Sequence, residues 1–204
     1  MLYLKSSVIS LILFVAASVW ANPEKQWRLK RETVGIKVYQ QAIADGYALT
    51  RGEITVNAPP AAIIAVMEDR TTCQHWVYAC KQGHLVKKYN ETERLDYTVI
   101  SSPLWLADRD MYLYSQSSYN KLTNTITIRL SGRENHAKEQ AGRVRIRAMQ
   151  GLWQLQEKSD GITRIMYQIR GNPQLPASAF LDAYMVESVF KTLQQLAELS
   201  KVRN

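Results

Sequence analysis

The chain has 204 residues, a formal net charge of +8 at pH 7, 46% hydrophobic residues and 22% charged residues. This composition is ordinary for a globular protein, which excludes a mostly disordered chain. The basic residues are scattered, and the one dense basic stretch, 143–147, alternates basic with apolar residues as a strand does. The pattern does not indicate a nucleic-acid-binding protein, so we expect no nucleic-acid partner.

The first 21 residues have the pattern of a secretory signal peptide. Lys5 precedes an apolar run from Val8 to Val19, and Val19 and Ala21 stand at the −3 and −1 positions of a cleavage site. The run of twelve residues is shorter than the roughly 20 that span a bilayer, so a retained membrane anchor is the less favoured alternative. We expect residues 1–21 to be removed on export to the periplasm and residues 22–204 to form one domain.

The segment that follows contains short strand-like and helix-like patterns, punctuated by Gly, Pro, Asn and Asp. In order, we predict a short helix within 22–34, a hairpin of strands 36–41 and 47–56 with a turn at Asp45 and Gly46, a helix from Ala61 to Glu68, and an irregular stretch at 69–79.

The two cysteines, Cys73 and Cys80, lie seven positions apart in the part expected to be exported. An oxidising compartment favours a disulfide between them. Because His75 and His84 lie nearby, a metal site is the alternative, but these spacings match no zinc pattern. We therefore predict a disulfide, with neither a metal nor a cofactor.

The middle of the chain is rich in β-branched and aromatic residues, and its connections carry turn residues. We predict strands at 84–89, 94–101, 109–118, 123–131, 143–156 and 163–170, a polar surface loop at 132–142, and a turn at Asp160 and Gly161. Strands and helices do not alternate, so the pattern favours an antiparallel sheet over a parallel α/β sheet.

The chain closes with a long amphipathic pattern after Leu175 and Pro176. Apolar residues recur every three or four positions at Leu181, Met185, Val189, Leu193 and Leu196. We predict one helix with Pro176 in its first turn. At about 1.5 Å per residue it spans roughly 35–40 Å, which is the width of seven or eight strands. The sequence therefore predicts an α+β fold in which an antiparallel sheet wraps around this helix.

No local motif marks a catalytic site. The sequence contains no Gly-rich phosphate loop, no His-Glu-x-x-His and no Gly-x-Ser-x-Gly, and its three histidines lie in separate segments. The densest charge cluster is Asp108, Arg109 and Asp110, for which a surface salt bridge at the start of a strand is the plain interpretation. We predict no catalytic residue.

The arrangement from Trp27 to the C-terminus resembles the START domain, the StAR-related lipid-transfer module. The matching pieces are Gly52-Glu53-Ile54-Thr55-Val56 before a short helix, Asp69 with Trp76, Tyr97 followed by Pro103-Leu104-Trp105-Leu106-Ala107-Asp108-Arg109-Asp110, Arg147-Ala148-x-x-Gly151-x-Trp153, and the helix after Leu175-Pro176.

The resemblance implies a helix-grip fold, in which a curved antiparallel sheet grips the C-terminal helix around an internal hydrophobic tunnel. It implies a protein that holds one lipid for transport or sensing, as a rule without catalysis. We also expect a monomer that contacts membrane surfaces transiently and is not an enzyme. Strand alternation then gives Arg109, Met111, Leu113 and Ser115 as tunnel-wall candidates, and the apolar stripe of the helix gives Leu181, Met185 and Val189. The resemblance adds Asp96, which stands in the register of the family's tunnel acid, and Trp153, which belongs to a matching motif. The aromatic Tyr184 of the closing helix completes the set of candidates.

The sequence departs from the family pattern at two places. Some sterol-binding relatives pair a tunnel acid with an arginine; Asp96 matches the acid, whereas Ser115 stands where the arginine would be. The family's Asp-Pro-Gly-Gly before the last helix is here Asn172-Pro173-Gln174, which predicts a stiffer hinge. Two alternatives stay open. One is a helix-grip enzyme with Asp96 or Arg109 as acid or base, and the other is an interaction module with a filled interior.

Overall fold

The structure is a computed structural model that describes residues 26–44, 46–102, 105–159 and 161–202. The expected signal peptide, Pro103, Leu104 and the aspartates of both predicted Asp-Gly turns lie outside the described residues. Within these ranges, no helix has both the length and the hydropathy to cross a membrane.

The described chain contains ten strands, two α-helices and one 3₁₀ helix. The strands are β1 (Arg28–Thr33), β2 (Ile36–Gln41), β3 (Leu49–Val56), β4 (Cys80–Lys88), β5 (Glu93–Ile100), β6 (Asp108–Asn120), β7 (Thr125–Gly132), β8 (Arg143–Arg145), β9 (Arg147–Ser159) and β10 (Ile162–Asn172). The helices are α1 (Pro60–Glu68), the 3₁₀ helix (Arg70–His75) and α2 (Ala179–Val202).

The strands form one curved, open sheet in the order β1-β2-β3-β10-β9-β7-β6-β5-β4, and every neighbour on this path is antiparallel. The pairing of β3 with β10 joins the N-terminal hairpin to the last strand of the chain. The predicted fold class is confirmed: an antiparallel sheet grips one long C-terminal helix.

The main core lies between the sheet, α1 and the C-terminal half of α2. Val189, Phe190 and Leu193 of α2 are buried there. The helix lies directly against Gly52 of β3, where an added Cβ would be 2.4 Å from Leu193 Cδ1 and 2.6 Å from Val189 Cγ1. Glycine at this position therefore sets how closely the helix approaches the sheet.

The predicted helix within 22–34 is wrong, because residues 28–33 form strand β1. This strand pairs with β2 through a two-residue turn at Val34 and Gly35, whose φ angles are 47° and 76°. Positive φ at both positions gives the turn that suits the twist of a hairpin. Most of β1 is exposed, so its residues do not alternate between apolar and polar as those of a half-buried strand do.

The single strand predicted at 143–156 is in fact two strands. β8 pairs in parallel with the start of β6, and β9 pairs with β7 and β10. At the junction, the Ile146 amide donates to the Asp110 carbonyl oxygen, which is 2.9 Å away. The chain thus passes from pairing with β6 to pairing with β7 and β10 without an intervening loop. The alternation of side chains along the sequence does not show where such a change of partner occurs.

The long helix is present but begins at Ala179, after Pro176. Ser178 precedes it, and the Ser178 Oγ accepts a hydrogen bond from the Leu181 amide at 3.2 Å. A serine N-cap of this kind satisfies a backbone donor that the first turn leaves unpaired. Pro176 therefore belongs to the connecting segment and not to the first helical turn.

The predicted disulfide between Cys73 and Cys80 is confirmed. It joins the 3₁₀ helix, which lies in the stretch predicted to be irregular, to the first residue of β4. Both cysteines are used by this bond and are not available as metal ligands. In the described ranges, no cluster of three or more His, Cys, Asp or Glu side chains is arranged to hold a metal ion.

Candidate functional site: an internal cavity

A cavity of about 660 Å³ lies between the inner face of the sheet and the N-terminal half of α2. Small-molecule sites in proteins typically measure roughly 300–1,000 Å³. The interior is therefore not filled by side chains, which contradicts the alternative of a filled interaction module.

Strand β6 supplies one wall through alternate residues. Arg109, Met111, Leu113 and Ser115 line the cavity. The residues between them point to the other face of the sheet, where Tyr112 packs against His136 with 4.7 Å between ring centroids. This is the period of two that an extended strand imposes on its side chains.

Aromatic rings form another part of the wall. Trp153 of β9 stacks on Tyr167 of β10, with 3.8 Å between ring centroids, and meets Trp76 edge-on at 6.3 Å. All three residues line the cavity. Burial raises the pKa of the Tyr167 hydroxyl and raises that of Tyr184 to about 12, so both phenols are neutral at physiological pH.

Helix α2 contributes Leu181, Tyr184 and Met185, as the tunnel-wall selection expects, but Val189 does not line the cavity. Val189 lies in the core against Gly52. The α2 residues that line the cavity continue instead with Ser188 and Thr192. Successive helix residues are about 100° apart, so a shift of one position moves a side chain from the cavity to the core. Sequence reasoning missed both residues because they are polar.

The polar part of the cavity centres on Asp96. Its Oδ2 atom lies 3.2 Å from Arg70 Nε and 3.1 Å from Arg94 Nε, and its side chain is only 1% exposed. The acid therefore has arginine partners even though Ser115 occupies the family's arginine position. Burial lowers the pKa of the Arg70 guanidinium, and Asp96 opposes this effect. An arginine nevertheless remains a cation in proteins.

Neither arginine belongs to the sites selected from the sequence. Arg94 is on the same strand as Asp96, two positions away and hence on the same face. Arg70 comes from the 3₁₀ helix, which the disulfide ties to β4. The two-residue period of β5 could have placed Arg94 beside Asp96 on the inner face of the sheet. No periodicity in the sequence predicts that Arg70 lies there.

Arg109 connects the β5–β6 loop to the segment that leads into α2, at one end of the cavity. Its Nη1 atom donates to Ser102 Oγ at 3.1 Å and to the Ala107 carbonyl at 2.6 Å, and its Nε atom donates to the Pro173 carbonyl at 3.3 Å. These bonds hold the β5–β6 loop against the segment that leads into α2. The guanidinium thus has a structural role at this mouth of the cavity.

The charge cluster around Arg109 is only partly a surface feature. Asp108 forms the expected exposed salt bridge with Lys81 at 2.8 Å. Asp110 does not, because it pairs with Arg145 at 2.6 Å, and both of these side chains are 1% exposed. Arg145 also donates to the Glu134 and Ala137 carbonyls, so this pair fastens the polar loop 133–142 to the outer face of the sheet.

Large apolar side chains are exposed at the mouth that Arg109 holds. Trp105 is 86% exposed, and its neighbour Leu106 lines the cavity. Phe180, in the first turn of α2, is 58% exposed and also lines the cavity. The mouth is thus bordered by apolar groups from the β5–β6 loop and from the helix.

Comparisons with known proteins agree with this geometry. No protein-family model matches the chain. An uncharacterized protein of Pseudomonas aeruginosa is 26% identical over 203 residues, which is 98% of each chain. A StAR-related lipid transfer protein from Xanthomonas axonopodis is 25% identical, with a TM-score of 0.79 over 86% of this chain and 98% of that one.

Two human structures share the fold at lower identity. STARD10 is 14% identical, with a TM-score of 0.75 over 85% of this chain and 72% of that one. StAR-related lipid transfer protein 5 is 15% identical, with the same TM-score over 86% of each chain. The sheet, the long helix and the cavity define a helix-grip protein with room for a ligand. The chain thus shares the fold of the START domain structures, a bacterial one among them.

Proposed function

We propose that the protein binds one hydrophobic ligand, a lipid, in the internal cavity and carries or senses it in the periplasm. The observation that carries the proposal is the cavity of about 660 Å³. Met111, Leu113 and Met185 supply apolar wall, and the flexible thioethers of methionine adapt to the irregular shape of a hydrocarbon chain. The structurally similar proteins are described as lipid transfer proteins, which supports the same class of ligand.

The periplasmic part of this proposal has two supports. Residues 1–21 carry the pattern of a signal peptide, and the Cys73–Cys80 disulfide suits an oxidising compartment. Intact-mass measurement of protein from the periplasmic fraction should show a chain that begins at Asn22. Protein that stays in the cytoplasm would contradict export, and exported protein that retains residues 1–21 would contradict cleavage of the signal peptide.

We assign the protein a carrier role and not a catalytic one. The two residues considered as an acid or a base are both occupied in other interactions: Asp96 lies between two arginines, and Arg109 holds the mouth segments together. A monomer that exchanges its ligand at a membrane surface accounts for the exposed apolar mouth.

The direct test of the cavity is a change of one wall residue. Met185→Arg places a long cation among the apolar residues of α2 that line the cavity. We expect this variant to bind much less lipid, because a bound hydrocarbon chain would bury the unpaired charge, which is costly. The readout is mass spectrometry of organic extracts from purified protein.

Ala183→Arg is the matched control, because it adds the same side chain at an exposed position of the same helix. This variant should retain the lipid content of the wild type. Equal lipid content in both variants would contradict the placement of the ligand along α2.

A further inference from the structure

The cavity reaches the surface at a second place, far from the mouth that Arg109 holds. Its wall continues along β6 past Ser115, through Ser117 to Tyr119. Ser115 is buried, Ser117 is half-buried and Tyr119 is 56% exposed, so this row of side chains passes from the interior to the solvent. Tyr119 lies ten positions after Arg109, so at about 3.3 Å per residue the two ends of the cavity are roughly 33 Å apart along the strand.

Three elements border this second opening of the cavity. They are the end of α1, the turn between β4 and β5, and the end of β6, which contribute Glu68, Lys88, Asn90, Glu91, Thr92 and residues 117–119 to the wall. Apart from the half-buried Ser117, each of these residues is exposed. The cavity is therefore a tunnel that is open at both ends.

Hydrogen bonds fix the shape of the second opening. The Ser117 amide donates to the Thr92 carbonyl at 2.8 Å, which ties the turn between β4 and β5 to β6. Within the turn, the Thr92 amide donates to Asn90 Oδ1 at 2.8 Å, and Lys88 pairs with Glu91 at 2.8 Å. The opening is thus built into the fold and does not depend on a loose loop.

The two ends of the tunnel differ in chemistry. The mouth presents the exposed apolar side chains of Trp105 and Phe180, whereas hydroxyl, amide and charged groups surround the second opening. Just inside the second opening, Ile126 and Ile128 of β7 line the wall. Burying hydrocarbon is favourable, and burying a hydroxyl group without a partner is costly. A hydrocarbon chain therefore suits the tunnel up to this opening, and a polar group suits the space beyond it.

The charges at this end do not favour an anionic group. Among the described residues, the wall here has three cations and four carboxylates, namely Arg70, Lys88 and Arg94 against Glu68, Glu91, Glu93 and Asp96. Like charges repel, so the small negative excess disfavours a further anion. Asn90, Thr92 and Ser118 offer amide and hydroxyl groups, which both donate and accept hydrogen bonds. Such groups suit an uncharged partner that is rich in hydroxyl groups.

We infer that the ligand is an amphiphile with a large, uncharged, hydroxyl-rich head, of the glycolipid class, and that this head stays in water at the second opening. The inference rests on the proposed lipid-binding function and adds the class of ligand. The hydrocarbon chain fills the tunnel, and the head contacts the exposed rim formed by residues 88–92 and 117–119. Because the rim does not enclose the head, the volume of the cavity does not limit the size of the head.

The test compares two ligands that share one hydrocarbon chain. Hexadecanol and hexadecyl maltoside differ only in the disaccharide head, and their chain is roughly 20 Å long, from bonds of about 1.5 Å at tetrahedral angles, so it fits within the tunnel. Delipidated protein is titrated with each, below the micelle concentration, in competition with a neutral fluorescent probe. The two affinities should agree within about tenfold, whereas a closed cavity would bury the disaccharide and bind the maltoside at least about a hundredfold more weakly.

Two variants assign the head to the second opening. Ser117→Trp narrows this opening and should weaken hexadecyl maltoside binding at least about tenfold. It should leave hexadecanol binding nearly unchanged, which also shows that the variant is folded. Gln116→Trp is the matched control, because it adds the same side chain at the preceding residue, which is exposed and does not line the cavity. It should bind both ligands as the wild type does.

The outcomes separate the inference from the proposed function. A wild type that binds hexadecanol but not hexadecyl maltoside overturns the inference and leaves lipid binding intact. Unchanged maltoside affinity in Ser117→Trp overturns the placement of the head at the second opening, as does an equal loss of affinity for both ligands. Failure to bind either ligand, together with lipid-free extracts, overturns the proposed function itself.

Discussion

Tyr184 links the cavity to a measurable dependence on pH. Burial, reinforced by the neighbouring Tyr78, raises the pKa of its hydroxyl to about 12, whereas an unfolded tyrosine titrates near 10. The neutral phenol is thus favoured in the folded state. Its contribution to stability is complete below pH 10 and is lost as the pH rises from about 10 to about 12.

As the pH rises from 9 to 12, we therefore expect the unfolding free energy of Tyr184→Phe to fall less than that of the wild type. The difference should be about 1–2 kcal/mol, after allowance for partial exposure, and urea denaturation measures it. Tyr89→Phe, at a 47% exposed position, serves as the control and should follow the wild type. Identical pH profiles for Tyr184→Phe and the wild type would contradict the buried position of this hydroxyl.

At the residue scale, the sequence predicts what depends on local periodicity. Alternation along β6 correctly separates Met111 and Leu113 from Tyr112, because an extended strand fixes which side each residue faces. The approach of Arg70 to Asp96 is not local. It depends on how the 3₁₀ helix is held across the end of the sheet, and no spacing within the sequence encodes that distance.

At the scale of elements, the contact between α2 and β3 depends on Gly52. We expect Gly52→Ala to lower the unfolding free energy by about 1–3 kcal/mol, because the new methyl group overlaps Leu193 and Val189. Urea denaturation is the measurement. Thr55→Val, at an exposed position of the same strand, is the control and should stay within about 0.5 kcal/mol of the wild type. An unchanged Gly52→Ala protein would show that the helix does not lie this close to β3.

The elements that the sequence predicts well are those with long, regular patterns. The apolar stripe of α2 and the strands of the central meander are examples, since each buries one face against the protein interior. β1 and β8 were missed for physical reasons. β1 is an exposed edge strand joined by an unusual Val34–Gly35 turn, and β8 is three residues long and pairs with the distant β6.

At the scale of the whole molecule, the exposed aromatic groups at the cavity mouth predict how the protein meets a membrane. The chain without residues 1–21 has a net charge of +7, since the removed segment contains one lysine and no acidic residue. Positive charge favours anionic lipid surfaces, and an interfacial aromatic residue inserts between head groups. We expect Trp105→Ser to weaken sedimentation of the protein with phosphatidylglycerol vesicles severalfold.

Leu122→Ser provides the matched control for that experiment. Leu122 is 97% exposed, and it follows the last residue of β6, whereas Trp105 precedes the first. The two side chains are therefore at opposite ends of a 13-residue strand. Equal loss of vesicle binding in both variants would indicate general surface adhesion and would contradict docking through the mouth.

The cavity of about 660 Å³ is the central structural observation, and its occupancy by one lipid is the central claim. Native mass spectrometry of the wild-type protein, purified from its own compartment without delipidation, tests the claim most directly. We predict a mass excess equal to a single amphiphile, which is released on unfolding. A folded protein with the mass of the polypeptide alone, which also takes up no added lipid, would contradict the account.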